Sequence, residues 1–141
     1  MASYNIVEQD HDFFSLLINK YVDIVFANEE EAKAFTGKEP EEALDVIAKM
    51  CSIAIVKLGA RGSLIRKGTE DVHAVTVDRV IDTTGAGDYF AAGFLYGLTC
   101  GYSLEKCGKI GSILSGSIIR VIGAEMPAEW WEDIKTRISE L

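Results

Sequence analysis

The segment Gly85-Ala86-Gly87-Asp88 combines residues that can bind an anion with one that can accept a proton. It follows a β-branched stretch, residues 75–81, and precedes an apolar helical pattern, which predicts a strand, a turn and a helix N-terminus. Glycines allow a sharp turn that exposes backbone N–H groups, and the positive end of the helix dipole favours phosphate there. A carboxylate at the same place, on Asp88, suits a site where it deprotonates a hydroxyl that then attacks the phosphate. A glycine-rich helix cap with an aspartate in its first turn is the structural alternative.

A second group of polar residues, Asn28 to Glu31, follows a short apolar stretch, residues 22–27. Mg²⁺ prefers oxygen ligands and keeps several of its waters, which a glutamate can orient. The Asn28 amide and the Glu31 carboxylate are oxygen donors of this kind. The alternative is a helix N-cap followed by an acidic first turn.

A third motif, Lys57-Leu58-Gly59-Ala60-Arg61-Gly62, follows a run of buried-strand character. Gly59 would allow another group to approach the backbone closely, and the Lys57 ammonium could reach an anion. A tight turn between two strands explains the same residues without a ligand.

Helical and strand patterns alternate along the chain and predict an α/β domain with a mostly parallel sheet. The candidate residues follow strands, so we expect them at one edge of the sheet, where such folds bind ligands. The predicted helices cover residues 12–21, 29–35, 40–50, 85–99, 103–121 and 128–141, and the predicted strands cover 22–27, 52–58, 63–66 and 72–77.

The composition limits the classes of partner. The chain has 141 residues, 48% of them hydrophobic, which is enough for one globular domain, and its net charge of −8 argues against nucleic acid or anionic membrane as the main partner. Three cysteines without a Cys-x-x-Cys pair fit reduced thiols, so we expect a cytoplasmic protein. Neither a signal peptide nor a membrane span is predicted.

The run Asp82-Thr83-Thr84-Gly85-Ala86-Gly87-Asp88 resembles the second signature of the ribokinase-like (PfkB) family, Asp-Thr-x-Gly-Ala-Gly-Asp. The resemblance implies a three-layer α/β fold and ATP-dependent transfer of phosphate to a hydroxymethyl group of a sugar or nucleoside. It implies that Asp88 is the general base and that the backbone of residues 85–88 is the anion hole. Residues 28–31 and 120–123 lean towards adenosine-kinase-like members.

The resemblance also assigns expected roles to the other motifs. Asn28 and Glu31 would position Mg²⁺, and Lys57, Gly59 and Gly62 would border ATP. Small residues on the penultimate helix, Ser112 and Ser115, would flank the adenine, although small residues serve close helix packing equally well. Asp82, Thr84 and Gly123 would frame a site for a monovalent cation, K⁺.

The resemblance covers nearly all of this chain but only the C-terminal half of the family pattern. We therefore interpret residues 1–141 as the nucleotide-binding and catalytic part of a ribokinase-like domain, without the N-terminal half and its lid. The isolated chain is expected to be inactive, and to form a homodimer or associate through the missing half. A nucleotide-binding regulatory module without catalysis is the alternative function, and a purely structural α/β domain is a third.

Overall fold

The computed structural model describes residues 4–76, 85–120 and 125–141. The chain divides into two compact units, Met1–Leu58 with Ser63–His73 and Gly59–Gly62 with Ala74–Leu141. Each unit has its own set of helices, and the candidate residues divide between the two units.

The first unit contains four helices and most of a sheet. Its helices are α1 (Tyr4–Gln9), α2 (His11–Tyr21), α3 (Glu29–Thr36) and α4 (Pro40–Ile47), and its strands are β1 (Ile24–Asn28), β2 (Ile53–Lys57) and β3 (Ser63–Lys67). Strand β4 (Glu70–Ala74) ends at the boundary, and a short 3₁₀ turn covers Gly59–Arg61. The second unit contains α5 (Ala86–Thr99), α6 (Leu104–Ile118) and α7 (Trp130–Ser139).

The sheet has the strand order β1-β2-β3-β4. Strand β1 pairs with β2 in parallel, and this register places Asn28 opposite Lys57. Strand β2 pairs with β3 antiparallel, and Lys57 is also opposite Ser63. The last residues of β1 and β2 are therefore neighbours at one edge of the sheet.

Helices α3 and α4 cover one face of this sheet. Val25 and Ala27 of β1 and Val56 of β2 form a buried cluster with Phe35 and Ile47 from the two helices. The guanidinium of Arg66 on β3 bonds to Asp45 on α4 and to Asp71 on β4, which ties a helix to two strands. The bond from Arg66 holds the pKa of the Asp71 carboxyl below its usual value.

Helices α5 and α6 pack closely in the second unit because glycines lie between them. A methyl group on Gly111 would come within 2.9 Å of the Phe90 carbonyl oxygen, and one on Gly93 would come within 3.0 Å of the Gly111 Cα. Ile134 of α7 packs with Ile113 and other apolar residues of α6. Trp130 packs against this cluster and Trp131 is partly exposed.

The α/β class is confirmed, and most element bounds agree with the sequence patterns to within a few residues. Helix α1 was not predicted. Helix α4 ends three residues before the predicted end, Met50. The N–H groups of Lys49 and Met50 donate to carbonyl oxygens three residues earlier, which replaces the α-helical pattern by tighter turns before β2. Strand β4 ends at Ala74 rather than residue 77, so Val75 and Thr76 lie in no strand.

Candidate active site

The N-terminus of α5 forms the turn that the glycine motif predicts. Gly85 is the N-cap and has a left-handed φ of 91°, a conformation that side chains other than glycine adopt only with strain. Its carbonyl oxygen accepts from the N–H groups of Asp88 and Tyr89, each at 3.1 Å. A Cβ at Gly85 would meet no atom within 4 Å, so the backbone angle rather than crowding requires glycine.

The α5 terminus carries two backbone donors, on the buried Ala86 and the half-buried Gly87, and one exposed carboxylate, on Asp88. Within the described residues, the N–H groups of Ala86 and Gly87 have no acceptor, whereas that of Asp88 is already bonded to Gly85. The Asp88 side chain is exposed in the first turn and forms no ion pair with any described residue. The terminus can therefore bind an anion through two backbone N–H donors, with a carboxylate beside them.

Asn28 and Glu31 form a complete capping box at the start of α3. The Asn28 side-chain oxygen accepts from the Glu31 N–H at 2.7 Å, and a Glu31 carboxylate oxygen accepts from the Asn28 N–H at 2.9 Å. The structural interpretation of this motif is thus realised. The box also holds the Glu31 carboxylate in one orientation at the end of β1.

Lys57 is half-buried at the end of β2, and its side chain forms no ion pair among the described residues. The turn that follows depends on two glycines: Gly59 has φ 56°, and Gly62 has φ 93° and donates to the Gly59 carbonyl at 3.1 Å. A methyl group on Gly62 would lie 2.1 Å from the Ala74 carbonyl oxygen. Gly62 therefore has a structural role in the contact with β4, which the motif alone did not reveal.

The small residues of α6 mainly face protein. Ser112 and Ser115 are 3% and 2% exposed, and the Ser112 hydroxyl donates to the Lys109 carbonyl at 2.8 Å. Gly111 is in contact with Phe90 of α5. Close helix packing thus accounts for Gly111, while the adenine contact expected for the two serines stays a prediction.

The structure brings Asn28, Glu31 and Lys57 to one sheet edge in the first unit, and holds Gly85 to Asp88 at one helix terminus in the second. Three residues of the expected cation site, Asp82, Thr84 and Gly123, lie outside the described residues. In the described ranges no group of three or more His, Cys, Asp or Glu side chains is placed to hold a metal. No described helix is both long enough and apolar enough to span a bilayer.

Residues 7–131 match the pattern of the pfkB family carbohydrate kinases. The chain belongs to the pfkB family. The match includes the α5 terminus, the Asn28 capping box and the turn that follows Lys57, so family membership and the candidate site rest on the same stretch of chain.

Relatives of known sequence and structure are sugar and nucleoside kinases. The chain is 38% identical over 123 residues to an ATP-dependent 6-phosphofructokinase of Thermoanaerobacterium thermosaccharolyticum. The matched region is 83% of this chain and 38% of that protein. It is 38% identical over 109 residues to an uncharacterized sugar kinase of Archaeoglobus fulgidus, and the matched region is 76% of this chain and 44% of that protein. The crystal structure of adenosine kinase from Sinorhizobium meliloti superposes with a TM-score of 0.84 at 38% identity, covering 99% of this chain and 43% of that one.

These comparisons confirm the ribokinase-like fold predicted from the signature motif. They also show that the chain spans less than half the length of each of these three relatives. The pfkB chain is therefore similar to a part of each relative, and that part includes the glycine-rich helix terminus.

Proposed function

We propose that this pfkB chain is the nucleotide-binding and catalytic part of an ATP-dependent kinase that phosphorylates a hydroxymethyl group of a sugar or nucleoside. The observation that carries the proposal is the N-terminus of α5. There two backbone N–H groups without acceptors among the described residues lie beside the exposed carboxylate of Asp88. Sugar and nucleoside kinases among the relatives support the reaction class.

In the proposed reaction Asp88 takes the proton of the acceptor hydroxyl. The hydroxyl oxygen then forms a bond to the γ-phosphorus of ATP, while the bond from phosphorus to the bridging oxygen breaks and ADP leaves. The N–H groups of Ala86 and Gly87 stabilise the charge that develops on the transferred group, aided by the dipole of α5. Because Gly85 is already in the required turn, these donors need no rearrangement during the reaction.

The residues of the first unit fit a role around the polyphosphate. Mg²⁺ would supply positive charge to the phosphates, and the Glu31 carboxylate, oriented by the capping box, suits the positioning of a metal-bound water. The half-buried Lys57 ammonium, directly beside Asn28 in the sheet register, would bind a phosphate oxygen. Gly59, Gly62, Ser112 and Ser115 would border the nucleotide, and Asp82, Thr84 and Gly123 a monovalent cation.

The test is the substitution Asp88→Asn in the intact protein, after a panel of sugars and nucleosides with ATP and Mg²⁺ has identified an acceptor. Loss of a general base should lower kcat by about two to four orders of magnitude. ATP affinity should change little, because the backbone donors stay in place, or improve, because the asparagine removes the repulsion between the carboxylate and the phosphates. Rates come from a coupled assay of ADP release, and ATP affinity from calorimetry.

Asp133→Asn is the matched control, since Asp133 is also an exposed aspartate in the first turn of a helix, α7. It should leave kcat unchanged. An Asp88→Asn variant as active as this control would show that Asp88 is not the base. If ATP binds but no acceptor in the panel is phosphorylated, the regulatory module becomes the better interpretation.

A further inference from the structure

The second unit contains a cavity of about 440 Å³ on the side of α7. Its walls include Tyr96, Tyr102 and Trp131, which are 51%, 38% and 36% exposed, and its floor includes the buried Leu114 and Ile134. The volume lies in the range of small-molecule sites, and so does the combination of an apolar floor with a few polar tips.

This cavity lies apart from the anion-binding end of α5. Tyr96 is two turns along the helix from Asp88, which corresponds to about 12 Å along the axis. Neither a residue of the Gly85 turn nor a residue of the β-sheet is among the described residues that line it. A ligand in the cavity would therefore not occupy the proposed phosphate position.

Aromatic walls indicate a flat ligand. Two tyrosine rings and one indole line the cavity, and aromatic rings pack well against another flat ring. Large aromatic side chains that are partly exposed around a buried aliphatic floor lose unfavourable water contact when a flat apolar body fills the space.

The described lining carries one positive charge and no negative one, although the chain as a whole has a net charge of −8. Lys135 is the only charged residue among the described residues that line the cavity. The Lys106 ammonium lies 4.3 Å from the centroid of the Tyr102 ring. Lys135 forms an ion pair with Glu132 at 2.7 Å, but this pair is exposed, so a ligand carboxylate can compete for the ammonium at little cost.

We propose that this cavity is a second ligand site that takes a small aromatic carboxylate, with the ring between Tyr96, Tyr102 and Trp131 and the carboxylate at Lys135. The proposal does not depend on kinase activity. Its basis is the set of residues that line the cavity, their exposure, and the charge of Lys135.

The test compares 2-naphthoate with its uncharged analogue 2-naphthamide by titration calorimetry on the intact protein. The acid should bind saturably at one site and more tightly than the amide, and saturating ATP should not displace it. The variants Lys135→Gln and Glu132→Gln should act in opposite directions on the acid. The first should weaken its binding about twofold to fivefold, and the second should strengthen it by a similar factor. Neither should change amide binding by more than about twofold.

Lys38→Gln is the matched control, since Lys38 is also an exposed lysine in an exposed ion pair, with Glu42 of α4. It should leave both ligands unaffected, and Ser139→Trp, at the exposed edge of the cavity, should block both. Heats that do not saturate, displacement by ATP, or equal acid binding in the Lys135 and Glu132 variants would overturn the proposal. Concentration-dependent dimerisation that Ser139→Trp abolishes would overturn it as well, because a second copy would then occupy the cavity.

Discussion

At the scale of single residues, Gly59 and Gly62 lie in the same turn but are required for different reasons. Both have left-handed backbone angles, yet a methyl group on Gly59 would meet no atom within 4 Å, whereas one on Gly62 would overlap the Ala74 carbonyl. Gly59→Ala should therefore cost about 1 kcal/mol of unfolding free energy, from backbone strain alone. Gly62→Ala should cost at least about twice as much, because the backbone of β4 must also move.

Urea denaturation of the two variants in the intact protein measures this difference. Gly59→Ala serves as the control for the strain that both substitutions share. Equal losses in the two variants would mean that the contact between Gly62 and Ala74 relaxes freely.

Glu31 is a residue with both a structural and a proposed functional role, and the two can be separated. Glutamine can accept the bond from the Asn28 N–H, so Glu31→Gln should lower stability by less than about 0.5 kcal/mol. The neutral amide orients metal-bound water less strongly, so the Mg²⁺ concentration needed for half-maximal activity should rise.

Glu30→Gln is the control, since Glu30 is exposed in the same helical turn and loses the same charge. Activity is measured across a Mg²⁺ titration, with thermal unfolding followed in parallel. Superimposable Mg²⁺ curves for the two variants would leave Glu31 with the capping role only.

At the scale of secondary-structure elements, Gly111 determines how closely α5 and α6 approach. Glycine to alanine inside a helix normally stabilises it, by roughly 0.5–1 kcal/mol. At Gly111 the added methyl group would press against the Phe90 carbonyl, 2.9 Å away, so Gly111→Ala should instead destabilise the protein by about 1–3 kcal/mol.

Ala92→Gly, at an exposed position inside α5, provides the reference for helix propensity and should cost roughly 0.5–1 kcal/mol. Denaturant unfolding of both variants gives the comparison. A stabilised Gly111→Ala protein would show that the two helices can separate without loss.

At the scale of the whole molecule, the 141-residue chain spans less than half the length of its relatives, and parts of its first unit are uncovered. Strand β1 is at one end of the described strand order. Phe13, Leu16 and Tyr21 on α2 are each more than half exposed. Uncovered strand edges and apolar helix faces favour association.

We therefore predict that the 141-residue chain alone self-associates, binds ATP weakly and transfers no phosphate to a free sugar or nucleoside. Analytical ultracentrifugation, ATP calorimetry and the ADP-release assay measure these three properties. A monomer that unfolds cooperatively and phosphorylates a free sugar would contradict the interpretation that these residues are part of a larger catalytic domain.

Features that depend on neighbours within one helical turn could be predicted from the residue types alone. Asn28 and Ser103 cap helices as their residue types predict, and Gly37 ends α3 in a left-handed conformation. Such bonds join residues two to four positions apart, so they can be recognised without knowing where the rest of the chain runs. The turn at Gly85 was predicted on the same basis. The signature motif around it indicated the family.

Features that depend on distant segments of the chain could not be predicted in this way, because they arise from packing. Gly62 could be recognised as a turn residue, but its contact with Ala74 exists because β4 returns beside the turn. Gly111 has no local signal of a neighbouring helix, and the backbone of Phe90 lies against it only because α5 packs on α6. The aromatic cavity beside Trp131 likewise needs three helices at once, because its walls come from separate segments that meet through packing of apolar faces rather than through any local signal.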